Sequence, residues 1–451
     1  MNPPPSEFPP TAPGAGRPTC LPSAARGRSE LRVIHLLRKC DPAEWGGTET
    51  AVQRLCESLE VHGVESILYC PRLRRSRGAS SGPLAPMGCP VKRFHAFLPV
   101  LGMRREQRQQ LHAVGGNLMS LDLPVALWRE PDVSVIHSHT LGRLGGIALA
   151  VARQRGVPLV VTIHGGVLDL PAAVKKDLHS PPARVWEWGR IFGLLLRSRE
   201  LLTRADVLLT CNPREAMLLR EQHPGQRIQV QPHGVPMHLY QQDHRAEACA
   251  AFPQIRGRPV LLCVGRIDPV KNQRWLLEEM PRVIRRHPSA LLVLAGASTN
   301  PTYLDSLRAR IRQYDFQDRV LLTGGLPPGD PRLIGLFQEA RVLLLPSLSE
   351  TFGLVLLEAW ASGTAVIASR TSGASALVQD GRNGWLFDLK DVSAFHTALD
   401  TALLRPELAA QFAAEGARLV AREYDSVTLA GRLRDLYVQL INEKHALRHS
   451  A

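Results

Sequence analysis

The sequence predicts an α/β fold with two doubly wound, Rossmann-like domains that face a central cleft. Short apolar strands alternate with helical segments along the chain, which is typical of parallel β-α-β units. The alternation stops at a polar stretch and then starts again, which indicates two such domains. Because the strands are continuous apolar runs, each sheet is expected to be covered by helices on both faces.

The first domain is expected to begin at residues 31–37, an apolar and β-branched segment typical of a buried strand. Gly46 and Gly47 follow this strand, and apolar residues at helical spacing then predict a helix over residues 49–61. Further elements are predicted by the same criteria, with strands at residues 66–69, 133–136, 158–162 and 206–210 and a helix over residues 142–155.

The second domain is expected after the segment Gln231-Pro-His-Gly-Val235, with the division between residues 235 and 255. Ligands of doubly wound sheets bind beyond the carboxyl ends of the strands, so the site is expected in the cleft between the domains. The strands predicted for this domain lie at residues 259–264, 290–295, 320–323, 342–345 and 365–368.

Composition limits the class of protein. The 451 residues are 44% hydrophobic, which excludes a wholly disordered chain, and they hold no uncharged apolar run long enough to predict a transmembrane helix. Residues 1–29 are rich in proline and are predicted to be disordered, without the apolar core of a signal peptide. The eight cysteines form no C-x-x-C pair, which favours reduced thiols and a cytoplasmic location.

The net charge of +14 fits a nucleic acid, an anionic membrane or a phosphorylated substrate as partner. No nucleic-acid-binding module is recognisable, so a nucleic-acid partner is not expected. The sequence also lacks a G-x-x-x-x-G-K-[ST] loop, a G-x-S-x-G elbow and an H-E-x-x-H motif, and no G-x-G-x-x-G follows the first strand. These absences disfavour a P-loop ATPase, a serine hydrolase, a zinc protease and a dehydrogenase.

Two cations follow the first strand of the second domain. Arg266 and Lys271 lie in the segment that starts at Gly265, at the carboxyl end of the predicted strand. Arginine offers a planar fork of donors and lysine a point charge, and together they suit a diphosphate. A solvated charged loop is the alternative.

A second cluster surrounds the predicted start of a helix at Gly353. Glycine lets backbone N–H groups approach a phosphate closely, and a helix N-terminus favours anions. Glu358, in that helix, is suited to accept hydrogen bonds from two ribose hydroxyls, and Glu350 to face a sugar. The alternative makes Glu350 a carboxylate beside the helix dipole and Glu358 an exposed helix residue.

Three histidines follow strands of the first domain. His137 and His139 form an H-x-H pair, for which a metal site is one interpretation, although no third ligand is evident. The alternative places His137 in strand-end packing and His139 along the cleft. His164 follows the next strand and precedes Gly165; a lone histidine in such a place is most often structural.

The second cluster resembles a known family signature. Glu350 and Glu358, seven residues apart within the segment from Pro346 to Ala359, are similar to the paired glutamates of retaining GT-B glycosyltransferases of family 4, also called glycosyl transferases group 1 or glycogen-synthase-like. Residues 363–369 add to the resemblance, which covers roughly residues 31–440.

The resemblance implies a GT-B fold and a division of the chain. Residues 30–240 would form the acceptor domain and residues 241–425 the nucleotide-sugar donor domain. Residues 426–451 would form a C-terminal helix that crosses back to the first domain. Residues 1–29 would be a disordered tail that precedes the first domain.

The resemblance also implies roles for individual residues. Arg266 and Lys271 match the cations that bind the donor diphosphate, and Gly46 and Gly47 match the glycine loop that approaches the donor phosphate or sugar. His164 matches the histidine beside the transferred sugar. The counterpart of Glu350 contacts the donor sugar, and that of Glu358 holds the ribose. The backbone of Phe352, Gly353 and Leu354 matches the positions that meet the donor phosphates. Gly324, in the segment Thr323-Gly324-Gly325-Leu326, matches the position beside the nucleobase. Pro327 and Pro328, which follow this segment, differ from the family pattern.

The implied function is metal-independent, retaining transfer of a sugar from a nucleotide-diphosphate sugar to a hydroxyl group. The acceptor would be a glycan or glycolipid in cell-surface polysaccharide or glycolipid synthesis, with no cofactor besides the co-substrate. Transfer of the sugar to phosphate or water is an alternative reaction. A non-catalytic nucleotide-sugar-binding protein, or a membrane-surface partner protein, is an alternative of a different class.

A basic stretch supports peripheral contact with an anionic membrane. Residues 72–108 hold nine Lys or Arg against one acidic residue, Glu106, with Phe94, Phe97 and Leu98 among them. Basic residues near an anionic leaflet contribute about 1 kcal/mol each, and apolar neighbours can insert beside them. A solvated loop with core anchors is the alternative.

Overall fold

The computed structural model describes residues 31–41, 45–72, 87–99, 118–165, 200–298 and 300–449. Their first half contains a parallel sheet of seven strands in the order β3-β2-β1-β4-β5-β6-β7. Its strands are β1 (Leu31–Leu36), β2 (Val64–Pro71), β3 (Val91–Phe94), β4 (Val135–Ser138), β5 (Leu159–Ile163), β6 (Val207–Thr210) and β7 (Ile228–Val230). The predicted disordered tail and most of residues 72–108 lie outside the described residues.

The second half contains a parallel sheet of six strands in the order β10-β9-β8-β11-β12-β13. Both sheets reverse their winding at one point, between β1 and β4 and between β8 and β11, and doubly wound sheets bind ligands there. The predicted fold class is therefore confirmed. The strands are β8 (Val260–Val264), β9 (Leu291–Ala295), β10 (Val320–Gly324), β11 (Ala340–Leu345), β12 (Val366–Ser369) and β13 (Trp385–Phe387).

Helices cover both faces of each sheet. Those of the first half are α1 (Gly47–Val61), α2 (Leu123–Arg129), α3 (Gly142–Arg155), α4 (Leu201–Arg204), α5 (Pro213–Gln222), α6 (Met237–Tyr240) and α7 (Arg245–Ala251). Those of the second half are α8 (Gln273–Arg286), α9 (Pro301–Gln313), α10 (Pro331–Glu339), α11 (Leu354–Ala361), α12 (Ser372–Leu377), α13 (Val392–Leu404), α14 (Pro406–Leu419) and α15 (Ser426–His449). Among the described residues, no helix is both long and apolar enough to span a bilayer.

The core follows from the alternation of side chains along each strand. Ile34 of β1 packs into an apolar cluster on one face of the first sheet, and its neighbour Val33 packs into a cluster on the other face. Leu433 and Tyr437 of α15 belong to the second of these clusters, so the last helix of the chain covers a face of the first sheet. Burying both faces explains why the strands are apolar throughout.

The chain crosses between the two sheets twice, and the two crossings pair with each other. The amide of Val235 donates to the carbonyl of Tyr424 at 2.9 Å, and the amide of Ser426 donates to the carbonyl of Val235 at 3.1 Å. At the neighbouring Gly234, an added Cβ would lie 2.5 Å from the Cα of Ser426. We call residues 233–235 and 424–426 the hinge pair.

The sequence predictions of the elements differ from the structure mainly at sheet edges. The helix Gly142–Arg155 has its predicted bounds, and the predicted strands match within a few residues. Three strands had no prediction: β3, β7 and β13, which are the outermost strands of their sheets. These three strands are only three or four residues long. In β3, Val91 and Lys92 are exposed, so this strand lacks the apolar run that predicts a buried strand.

Substitution of Gly234 by Ala is expected to destabilise the protein by about 1–3 kcal/mol, because the new methyl group would overlap backbone atoms at the hinge pair. Gly225→Ala is the matched control. No atom lies within 4 Å of its added Cβ, so it should be neutral or stabilising by about 0.4–1 kcal/mol. Urea unfolding of both variants measures the difference, and equal stabilities would contradict the packing described here.

Candidate functional site

The carboxyl ends of the central strands of both sheets border one cleft of about 770 Å³. Glycine loops, cations and carboxylates from four strand ends meet there, although they are more than 300 residues apart in the sequence. The sequence-predicted residues that line the cleft are Gly46, Gly47, His164, Arg266, Lys271, Glu350, Phe352, Gly353, Leu354 and Glu358.

Gly324 is the predicted residue that does not line the cleft. It is the last residue of β10, where it has a φ of 75° and accepts a hydrogen bond from the amide of Gly296 at 2.9 Å. The lining begins one residue later, with Gly325, Leu326, Pro327 and Pro328. The loop with the unexpected proline pair is therefore the part of this segment that faces a ligand.

Lys271 and Glu350 contact each other across the cleft floor. The Lys271 Nζ lies 2.5 Å from Glu350 Oε2, and the side chains are 21% and 14% exposed. The carbonyl of Glu350 accepts hydrogen bonds from the Gly373 amide at 2.8 Å and the Ser372 hydroxyl at 3.2 Å, which fixes the backbone of this residue. The predicted phosphate cation and the predicted sugar-facing carboxylate thus form an ion pair.

The loop that carries Arg266 and Lys271 is held by backbone contacts. Asp268 accepts a hydrogen bond from the amide of Val270 at 2.9 Å, and Asn272, with a φ of 59°, donates its side-chain amide to the carbonyl of Pro346 at 3.2 Å. The guanidinium of Arg266 is exposed and has no partner among the described residues. It is free to bind an anion that enters the cleft.

The start of α11 presents backbone donors to the cleft. Gly353 precedes the helix with a φ of 95°, a left-handed conformation that glycine adopts readily, and no side chain caps the helix start. The first amides of a helix have no partner within it, and the helix dipole adds a partial positive charge. Gly47 lies opposite, where an added Cβ would be 4.0 Å from Leu354 Cδ1.

His164 belongs to a chain of four imidazoles that ends at the cleft. Ring nitrogens lie 3.0 Å apart between His35 and His139, 2.9 Å between His139 and His164, and 3.4 Å between His164 and His233. Burial lowers the pKa of His35 to about 3 and that of His164 to about 4, and it lowers the pKa values of His139 and His233 well below the usual range. The rings are therefore neutral at pH 7, and each contact needs one N–H donor, so their tautomers depend on one another.

The H-x-H pair acquires a third histidine in the fold. His35 pairs in register with His137 on the adjacent strand, and the ligand atoms of His35, His137 and His139 lie within 4.8 Å of one another. However, both ring nitrogens of His137 have partners at 2.6 Å, the hydroxyls of Tyr437 and Thr162. A metal ion at this cluster would have to displace one of these contacts, so the arrangement favours a hydrogen-bonded network. A small cavity of about 30 Å³, enough for one water, borders His137 and His139.

Glu358 is buried, contrary to the alternative of an exposed helix carboxylate. It forms an ion pair with Arg54 of α1, and the hydroxyl of Tyr240 donates to its Oε1 at 3.0 Å. Sequence reasoning missed Arg54 and Tyr240. Arg54 lies three residues after Ala51 and four before Ser58, and all three residues are buried on one face of α1. A cation at this helical spacing on the inward face was the signal in the sequence that could have identified Arg54.

His233 and the loop at Gly165 are further contacts that the sequence did not identify. The ring of Phe352 packs edge-on against His233 at 4.9 Å, which places the hinge pair beside the start of α11. Gly165 has a φ of 96°, and an added Cβ would lie 2.5 Å from Thr351, so the His164 loop closes on the residue after Glu350.

Part of the basic stretch is described, and two of its basic side chains, Lys92 and Arg93, have protein partners. Lys92 pairs with Glu130 at 2.5 Å, and Arg93 donates to the carbonyls of Cys40 and Pro71. Phe94 is 2% exposed and belongs to the core, so it is a core anchor rather than a residue for membrane insertion.

The cleft combines groups that suit one kind of ligand. Arg266, Lys271 and the free amides near Gly353 are donors for a diphosphate. Glu350 and Glu358 are acceptors for hydroxyl groups, and they lie on either side of Gly353 in the chain. The arrangement fits a molecule with a diphosphate between two hydroxyl-bearing rings.

Comparison with known proteins agrees with this geometry. The family described as "Glycosyl transferases group 1" matches residues 248–419, and the family described as "Glycosyl transferase 4-like domain" matches residues 46–234. Among solved structures, sucrose-phosphate synthase from Thermosynechococcus elongatus has a TM-score of 0.69 at 23% identity, covering 92% of this chain and 100% of its own. HepE from Anabaena, in complex with UDP and glucose, has a TM-score of 0.66 at 16% identity, covering 91% and 100%. These likenesses show the GT-B fold.

Curated relatives carry the comparison further. A D-inositol 3-phosphate glycosyltransferase from Xylanimonas cellulosilytica is 32% identical over 89% of this chain and 93% of its own. One from Catenulispora acidiphila is 31% identical over 94% and 97%, whereas one from Acidothermus cellulolyticus is 33% identical over only 63% and 62%. With its GT-B fold, the chain belongs to the glycosyl transferases group 1 family.

Proposed function

We propose that this protein is a retaining glycosyltransferase that moves a sugar from a nucleotide-diphosphate sugar to an acceptor hydroxyl group. The observation that carries the proposal is the convergence of Arg266, Lys271, Glu350, Glu358 and the start of α11 on one cleft. A binding protein needs the cations and Glu358 for the nucleotide. Glu350, beside the phosphate cation Lys271, adds an acceptor for sugar hydroxyls, which a site for a nucleotide without a sugar does not need.

The acceptor class is proposed from two sources. Relatives named D-inositol 3-phosphate glycosyltransferase support a phosphorylated polyol, which also suits a chain with a net charge of +14. A glycan or glycolipid of the cell surface is the second candidate, and it rests on the resemblance to the wider family. Assays with D-inositol 3-phosphate and with a glycolipid acceptor, using one donor, distinguish the two.

The chemistry breaks the bond between the anomeric carbon of the sugar and the β-phosphate oxygen, and forms a bond from that carbon to the acceptor oxygen. Negative charge develops on the departing phosphate, where Arg266, Lys271 and the amides near Gly353 stabilise it. One such preorganised donor contributes about 3–4 kcal/mol in enzymes. The acceptor proton passes to the departing phosphate on the same face of the sugar, so the anomeric configuration is retained.

The remaining residues orient the sugar. Glu350 leaves Lys271 when the diphosphate binds and accepts hydrogen bonds from sugar hydroxyls. His164 is the third ring of the imidazole chain and lines the cleft, with its Nε2 beside His139 and its Nδ1 3.4 Å from His233. As a neutral ring it serves as a hydrogen-bonding partner for the sugar rather than as an acid, and it exchanges the long contact with His233 for the sugar hydroxyl. Contact between the domains excludes water, which limits hydrolysis of the donor.

Loss of both cations should weaken nucleotide binding strongly. Wild-type protein titrated by calorimetry with UDP, GDP, ADP and dTDP is expected to bind one of them. Arg266→Ala/Lys271→Ala should then bind about a hundredfold more weakly, since a hydrogen bond to a charged group contributes about 1.5–3 kcal/mol. Arg282→Ala/Arg285→Ala removes the same charge from exposed positions on α8 outside the cleft and should bind normally. Unchanged affinity in the first variant would refute the assignment.

Loss of Glu350 should affect transfer more than binding. Glu350→Ala removes a contact to the sugar and releases Lys271, so the rate of transfer should fall about 10- to 100-fold while affinity for the nucleoside diphosphate stays the same or rises. Glu278→Ala, which removes an exposed carboxylate paired with Arg274, is the matched control. A variant with full transfer activity would exclude a sugar-binding role for Glu350.

The reaction should need no metal ion and should retain configuration. Proton NMR of the product, recorded during turnover with and without EDTA, reports both the anomeric configuration and the rate. We expect the anomer of the donor and equal rates, because fixed cations and amides hold the diphosphate. An inverted product, or a rate that EDTA abolishes and magnesium restores, would contradict this mechanism.

A further inference from the structure

Helix α1 carries a buried cation whose partners lie beyond the first sheet. Arg54 Nη2 contacts Glu358 Oε1 and donates to the hydroxyl of Tyr240 at 2.7 Å, and that hydroxyl donates to the same Oε1 at 3.0 Å. The Arg54 and Glu358 side chains are 5% and 9% exposed, and Tyr240 is 1% exposed. Three elements, α1, α6 and α11, thus meet at one carboxylate oxygen.

Stability alone does not account for this cluster. Removing two charges from water costs free energy that their mutual attraction often fails to recover, and apolar residues of similar size commonly stabilise a protein as well or better. In some proteins a buried polar or ionic group is kept for the geometry that it imposes. The geometry here is the position of the Glu358 carboxylate.

The contacts to Glu358 are one-sided. Both donors use Oε1, and Oε2 accepts no hydrogen bond from any residue in the described part of the chain. Glu358 also lines the cleft, so one oxygen is held by the protein while the carboxylate remains available to a ligand. A carboxylate makes stronger hydrogen bonds to hydroxyl donors than a neutral acceptor does.

We propose that Arg54 is a positioning residue of the nucleotide site, supplied by the domain opposite the one that binds the nucleotide. Together with Tyr240 it holds the Glu358 carboxylate in the orientation that accepts hydrogen bonds from the ribose hydroxyls. This inference rests on the proposed function, because it assumes that the cleft binds a nucleotide. A contact between the domains then becomes part of nucleotide recognition, and binding favours the arrangement in which the domains touch.

A tether without a recognition role would produce a different result. If Arg54 only joined the domains, its loss would weaken every nucleotide equally. If it positions Glu358 for the ribose, its loss should matter less for a nucleotide that has no ribose hydroxyls. The ratio of affinities for UDP and 2′,3′-dideoxy-UDP measures this difference. If the wild type binds ADP instead of UDP, the ratio is measured with ADP and 2′,3′-dideoxy-ADP.

Calorimetry of the wild type and of Arg54→Gln with both nucleotides is the experiment. In the wild type, loss of the hydroxyls should weaken binding about tenfold or more, as expected for hydrogen bonds to a charged acceptor. In Arg54→Gln the ratio should fall toward that of Glu358→Gln, the reference for a lost ribose contact. Tyr240→Phe keeps the buried ring and loses only the hydroxyl, so it should also lower the ratio of affinities. This variant provides the test if Arg54→Gln does not fold.

Ser58→Ala is the matched control, because Ser58 lies one turn further along α1 and donates to the hydroxyl of Ser426 at 3.0 Å without touching Glu358. Its ratio should equal that of the wild type. A ratio unchanged in both Arg54→Gln and Tyr240→Phe, with Glu358→Gln reduced, would overturn the inference and leave the proposed function intact. Failure of the wild type to bind any of the nucleotides would overturn the proposed function itself.

Discussion

The common direction of the strands in each sheet determines where the chemistry of this protein lies. All strand pairs in both sheets are parallel, so every strand of a sheet ends at the same edge. Residues that follow the central strands therefore meet whatever their distance in sequence: Gly46 after β1, His164 after β5, Arg266 after β8 and Glu350 after β11. The reversal of winding between β1 and β4, and between β8 and β11, opens a crevice at each edge, and the two crevices form one cleft.

Each of the two glutamates of the cleft is paired with a cation. Lys271 is paired with Glu350, and Arg54 with Glu358, so each carboxylate that is proposed to meet a hydroxyl group already has a cation. The two pairs differ in burial and therefore in what a ligand can exchange. Lys271 and Glu350 are partly exposed, and a diphosphate can take the lysine at little cost. The Arg54 pair is almost completely buried, and separating it would leave an uncompensated charge, so a ligand is expected to add to this pair rather than replace it.

Most residues that the sequence predicted for the site line one cleft, because the signals used to choose them are local. A strand followed by glycine and a charged residue is visible in a short window, and the segment around Glu350 and Glu358 also carries a family signature. The contacts that depend on tertiary packing were not visible. Arg54 is an ordinary helix cation until α11 meets α1, and His35 becomes a neighbour of His137 only through the register of two strands. The short strands β3, β7 and β13 were missed for a related reason, since an edge strand needs fewer apolar residues than a central one.

The hinge pair lies beside the residues that are proposed to bind the phosphates and the ribose. Phe352, two residues before α11, packs against His233 at 4.9 Å and against Tyr424 at 6.1 Å, one residue from each of the two crossing segments. Tyr240, which supports Glu358, follows the same crossing by only a few residues. The groups proposed to hold the phosphates and the ribose thus lie beside the two segments that cross between the sheets. A nucleotide bound at the start of α11 and at the Glu358 carboxylate would therefore contact residues that pack against the hinge pair, and His164 already borders the same cleft from the first sheet.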